Sequence, residues 1–200
     1  MIEDFLAGRR DLLVAAMTLA GGALIAASAK AGETGQAAEP VDPAFAPHAR
    51  DWDWLIGNWS VRHRRLRERL AGSTEWDEFA GTCRNWPLMG GRGNVDDNVL
   101  DLPAGRYRGV GVRAFDVQDR LWSIWWIDSR LPGIDPPVRG GFADGVGTFI
   151  GDDMLRGRPV KVRFRWSAIT ATSAQWEQAF SPDGGTTWET NWHMDFTRQA

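Results

Sequence analysis

Three stretches near the C-terminal end, residues 160–166, 174–180 and 188–196, alternate apolar and polar side chains with a period of two. That spacing is the mark of a β-strand with one buried face. In the first, Val160, Val162, Phe164 and Trp166 share a face, while Lys161, Arg163 and Arg165 share the other. The same phase continues with Ala174, Trp176, Gln178 and Phe180, then with Trp188, Thr190, Trp192, Met194 and Phe196. Between the last two stretches, Pro182 fixes one φ angle and Asp183-Gly184-Gly185 tolerates positive ones, so a hairpin is predicted there.

Turn signals recur upstream at regular intervals, in residues 71–73, 87–93, 103–105, 116–119, 131–137, 144–145, 152–157 and 168–172. With the turn at 183–185 they divide the chain into about ten strands. No segment between them holds a 3.6-residue period long enough for a core helix. Short successive hairpins favour an up-and-down meander that removes its edges by closing on itself. The predicted fold is therefore all-β, a closed or nearly closed antiparallel barrel of about ten strands over residues 47–200. Residues 47–56 carry Trp52, Trp54, Leu55 and Ile56 at helix-compatible spacing and are too short for more than a turn or two. They read as a plug leading into the first strand.

Parity along the strands assigns faces. On residues 107–115, Tyr107, Gly109, Gly111, Arg113 and Phe115 share one face, and its two glycines leave room for a large neighbour against the backbone. Trp122, Trp125 and Trp126 on the next strand supply candidates. Trp125 and Trp126 cannot both enter the barrel, so an outward indole is expected, and Trp122 or Trp126 is a candidate homodimer contact.

Composition narrows the function classes. The net charge is only −3 with both signs interspersed, so no basic stripe marks a nucleic-acid surface. Twelve tryptophans are the oddity, and their large rigid faces suit both cores and ligand pockets. The single Cys83 cannot form an internal disulfide and alternates in phase with Phe79 and Gly81, a buried apolar position. Residues 1–31 read as an address label: Arg9-Arg10, a mild apolar run, and Ala29-Lys30-Ala31 at a cleavage site. They resemble a bacterial twin-arginine export signal, which implies passage in the folded state and a periplasmic or secreted protein cleaved near Ala31. The apolar run is short of the ~20 residues that span a bilayer, so the mature chain is expected to hold no transmembrane span. Residues 32–46 read as a flexible linker.

Candidate chemistry is sparse. Ser181, Asp183, Gly185, Thr187 and Trp188 match the Asp-box of sialidase propellers, a turn-stabilising device that occurs here once. Gly90-Gly91-Arg92-Gly93 lacks the Lys-Ser/Thr of a phosphate loop and reads as a loop over the barrel mouth. The pairs Asp96-Asp97 and Asp152-Asp153 read as solvated acids near turns. His48, His63 and His193 lack metal-ligand spacing. Nitrobindin-like barrels bind haem through one late histidine, but His193 lies on the polar face with Glu189, Asn191 and Asp195, so no cofactor is assigned. Lys161, Arg163 and Arg165 can pair with Gln175, Glu177, Glu189 and Asp195 as a solvated ladder, or with Arg113 can line a polar lumen that clamps an anionic head group.

Gly57-x-Trp59 at the head of the first strand is similar to lipocalin-like barrels, in which that Trp packs across the barrel floor. With the motifs around 53–59, 107–109, 122–126, 176–181 and 188–192, the chain resembles an uncharacterised bacterial lipocalin-like, calycin-type family over residues 50–198. The resemblance implies a calycin barrel and no particular reaction. His193 stands where the family tends to be apolar.

The leading functional reading is an exported protein that holds a small, largely apolar or aromatic ligand in its barrel. Its candidate lining is Trp59, Phe164, Trp166, Trp176 and Trp192, with Tyr107 and Arg113 as polar contacts. The alternatives are an enzyme that uses Glu177 with Arg165, and a structural or subunit-interaction protein with a filled barrel. No catalytic residue or metal ligand is assigned.

Overall fold

The computed structural model describes residues 41–199, so the expected signal and most of the linker lie outside the described residues. Ten strands form one closed antiparallel barrel, each paired with its chain neighbours and the last with the first. They are β1 (Gly57–Leu66), β2 (Trp76–Leu88), β3 (Gly93–Leu102), β4 (Gly105–Asp116) and β5 (Leu121–Asp128). The circuit continues through β6 (Val138–Ala143), β7 (Val146–Leu155), β8 (Arg158–Ser167), β9 (Ser173–Ser181) and β10 (Glu189–Arg198). Closure runs from the pair Trp59–Arg198 to the pair Arg65–Trp192. The turns fall where the punctuation residues predict them.

Period-two alternation decides which side chains fill the interior. On β1, Trp59, Val61 and His63 are buried between exposed Ser60, Arg62 and Arg64. On β2, Phe79, Cys83 and Asn85 are buried between exposed Glu78, Ala80, Thr82 and Arg84. An apolar interior under a charged outer face is the inverse of a transmembrane barrel, whose outer band must be apolar. No helix among the described residues is long and apolar enough to cross a membrane.

The plug closes the end at which β1 begins. Two 3₁₀ turns, Ala46–His48 and Asp53–Leu55, carry it. Its anchor Trp52 stacks on Phe149 at 5.7 Å and meets Phe142, Trp122 and Trp166 edge to face. The packed domain starts earlier than the predicted residue 47, because Phe45 is buried against Phe115 and Trp122. Trp59 lies on this floor, as the lipocalin-like pattern implied. Its indole N–H donates to the Leu55 carbonyl at 2.7 Å, and the Arg198 guanidinium lies 4.2 Å over its ring. Gly57 is required here twice over: its φ is +122°, and a Cβ would stand 2.7 Å from Arg198.

Two departures from simple alternation shape the rest. On β10 the register slips between Thr190 and Trp192, so Asn191 is an extra residue, buried and bonded to Gln178 at 2.9 Å. The bulge inverts the parity before it. Trp188 consequently sits outside beside Arg163, at 4.6 Å, while Trp192 turns inward. The Asp-box works as a turn: Asp183 accepts the amides of Thr186 and Thr187, and the Trp188 indole donates to the Gly185 carbonyl. The Thr187 hydroxyl first, then the Thr187 amide, the Ser181 hydroxyl and the Thr186 amide, hold the Asp183 carboxyl down at about 2.

The second departure is a seam. β5 pairs with β6 only from Trp122 to Ile124, whereas β5 runs on to Asp128 and β7 runs on to Leu155. Their facing upper edges are bridged by the loop of residues 129–137.

Candidate functional site: an indole-lined cavity inside the barrel

Behind that seam lies a cavity of about 110 Å³. Its apolar walls are Trp126, Phe164, Trp166, Trp176, Trp192 and Phe196, and its polar wall is Asp96, Asn98, Arg113 and Gln178. Asp135 and Pro136 from the bridging loop, with Asp152 and Asp153 from β7, form the mouth. Five of the seven residues expected at the site therefore meet at one hollow: Arg113, Phe164, Trp166, Trp176 and Trp192. The other two do not. Trp59 is spent on the floor, and Tyr107 lies towards the opposite end of the barrel with the Arg130 guanidinium 3.5 Å over its ring.

The polar wall is a buried network. Arg113 donates from Nη1 to Asp96 at 2.5 Å and to Asn94 at 3.0 Å, and its Cζ lies 4.7 Å over the Trp52 ring. Asp96 also accepts the Gly111 amide at 2.9 Å and the Asn98 amide group at 2.6 Å. A Cβ at Gly111 would stand 2.7 Å from the Asp96 carboxylate, which explains one of the two glycines on β4. The other, Gly109, is covered by the Trp126 indole. Arg113 Nε has no hydrogen-bond partner although the residue is only 5% exposed.

Several expectations are corrected by this arrangement. Asp96-Asp97 is not a solvated pair, because the strand pleat splits it across the sheet, and Asp152-Asp153 is split in the same way, with Asp152 solvated as expected. Asp96 turns inward to Arg113 and Asp97 outward to Arg108. Asp153 turns inward and Asp152 outward to Lys161. Trp122 and Trp126 are not available for a subunit contact. Trp122 is buried, with its N–H on Asp51 at 2.9 Å, and Trp126 is a cavity wall. The outward indole is Trp125, half-buried beside Pro137 and Arg139. The 89–92 loop lies at the plug end, not over the mouth, since β2 descends to it from the opposite end.

The outer ladder takes its solvated form: Lys161 pairs with Asp152 at 2.7 Å, and Arg165 with Glu177 at 3.2 Å. Glu177 and Arg165, the pair considered for acid–base chemistry, thus sit outside the cavity. His193 shares that outer face, 3.4 Å from Glu177. Cys83 is buried, and burial pushes its thiol up. Among the described residues, no group of three or more His, Cys, Asp or Glu side chains is placed to hold a metal ion.

His63 was not singled out by the sequence, yet it is the most perturbed histidine. It faces inward, stacks on Phe79 at 4.6 Å and accepts the Trp192 indole N–H at 3.3 Å. Burial, then the Arg65 guanidinium, push its pKa down from 6.5 to about 4, with Asp101 pulling weakly the other way. Between those values the unfolded chain binds a proton that the fold refuses. Stability should therefore be full above pH 6.5 and fall as the pH drops towards 4, by up to about 3 kcal/mol. Urea unfolding across this range should show the loss in the wild type, and a flatter profile in His63→Phe. Equal slopes would remove His63 from the account.

No protein-family model matches the chain, and no curated protein matches it. Among solved structures, an S-type phycobiliprotein lyase, CpeS from Guillardia theta, is similar with a TM-score of 0.49 and 10% identity, covering 74% of this chain and 90% of that one. A de novo fluorescence-activating β-barrel is similar at 0.42 and 14%, covering 74% and 98%. A second barrel, EF1p2_mFAP2b bound to DFHBI, is similar at 0.42 and 12%, covering 76% and 98%. These likenesses are distant.

Proposed function

We propose that this protein is a binding protein whose barrel holds one small, largely apolar or aromatic molecule among Trp126, Trp166, Trp176 and Trp192. The observation that carries the reading is the hollow itself, an indole-walled space with the Asp96–Arg113 pair on its polar side. Its size sets the ligand class. Drug-sized ligands occupy roughly 300–1,000 Å³, whereas a dry cavity of about 150 Å³ takes benzene or xenon. A space of about 110 Å³ fits a molecule near the size of a single ring.

Native mass spectrometry of the full chain mixed with toluene or phenol should show uptake of one molecule. Gly109→Ala should weaken that uptake at least about tenfold while costing about 1–3 kcal/mol of stability, because the new methyl group drives the Trp126 ring into the hollow. A folded wild type that takes up no probe would overturn the proposal.

We also propose that the protein acts outside the cytoplasm, on the strength of Arg9-Arg10 and Ala29-Lys30-Ala31. The mass of protein recovered from the bacterial periplasm tests this, with Gly32 as the expected first residue. Recovery only at full length from the cytoplasm would refute it.

A further inference from the structure

The charges around the cavity carry more information than its size. Its charged lining consists of Asp96, Asp135, Asp152 and Asp153 against a single cation, Arg113. Asp96 and Arg113 neutralise one another, and Asp152 is engaged outside by Lys161. Asp135 and Asp153 remain at the mouth, and among the described residues neither makes an ion pair. Among the described residues the Asp153 carboxylate accepts only the Met154 amide, and Arg69, which lies over the Phe180 ring, feels its charge without pairing with it. The aromatic walls complement these carboxylates. Trp176 and Trp192 meet at 84° with centroids 5.7 Å apart, and Phe164 crosses Trp176 at 61° and 5.0 Å. One face of Trp192 is covered by the Arg65 guanidinium, 5.0 Å from the ring, and Phe164 and Trp176 supply the remaining aromatic wall, whose faces are the negative side of the ring quadrupole.

We propose that this cavity selects a small organic cation, such as an alkylated ammonium, over neutral and anionic molecules of the same shape. The inference rests on the reading that the hollow holds a ligand, and adds the charge of that ligand. It reverses the anionic head group that an arginine-lined lumen would take, because the one guanidinium that lines this cavity is already matched by Asp96. Carboxylates at a mouth raise the local concentration of cations, and desolvated aromatic faces hold them. Asp135 is consistent with this: partial desolvation and the carboxylates of Asp153 and Asp128 raise its pKa, a strain that a bound cation relieves.

Three isosteric probes separate charge from shape: choline, 3,3-dimethylbutan-1-ol, in which carbon replaces the charged nitrogen, and 3,3-dimethylbutanoate. Calorimetric titration of the full chain should rank them in that order, with choline at least about tenfold tighter than the alcohol. In Asp135→Asn/Asp153→Asn most of that preference should disappear. If the alcohol binds as tightly as choline, the charge selectivity is wrong and the cavity reading stands. If none of the three binds, both fall.

Discussion

Asp96→Ala should lower the unfolding free energy by about 3–5 kcal/mol, because it strands a buried guanidinium. Arg113 would lose its carboxylate at 2.5 Å, its Nε already lacks a partner, and the Gly111 amide would lose its acceptor. Removing both charges should behave differently. A buried pair replaced by apolar residues of similar volume is often neutral or stabilising, so Asp96→Leu/Arg113→Met should recover most of the loss. Urea unfolding of the wild type, the single and the double variant decides between the cases. A single variant within about 1 kcal/mol of wild type would place the pair among weak surface contacts and contradict its burial.

Trp52→Ala should be comparably costly, about 3–5 kcal/mol, since it removes the ring that joins the plug to the barrel floor. Phe142, Phe149, Trp122, Trp166 and the Arg113 guanidinium all lose a packing surface together. Trp52→Phe should cost far less. The indole N–H has no acceptor where it lies, so the smaller ring removes an unsatisfied donor as well as some contact. Thermal unfolding measures both, with a drop in melting temperature expected to be several times larger for alanine than for phenylalanine. Equal drops would show that the plug is held by its backbone rather than by this ring.

The barrel was legible because its signals are local. Period-two patterning on β8 and β9 and the punctuation of the nine turns depend only on neighbouring residues, and both survive folding unchanged. The β10 parity was not legible as far as residue 188, because one inserted residue, Asn191, inverts every position before it, and its burial against Gln178 is a long-range event. Trp188 was therefore assigned to the wrong face. The acidic pairs illustrate a different failure. Their splitting across the pleat follows from strand parity alone, and applying that rule to Asp96-Asp97 would have exposed the Arg113 partner.

The cavity was half legible. Phe164, Trp166, Trp176 and Trp192 share a face on three consecutive strands, so pattern finds them. Trp126 and the mouth residues Asp135 and Asp153 depend on β6 being short, which leaves β5 and β7 apart above residue 124. Nothing in the composition of 129–137 announces that gap. Trp59 and Tyr107 pass the same parity test as the true wall residues and fail only on height along the barrel axis, a coordinate that register fixes and alternation does not.

The central claim is that the indoles enclose a ligand-sized space, and a crystal of the protein pressurised with xenon tests it most directly. The account predicts a single xenon site bounded by Trp126, Trp166, Trp176 and Trp192. Side chains packed through that volume, or a chain of ordered waters running from Asp153 to Asp96 in its place, would contradict it.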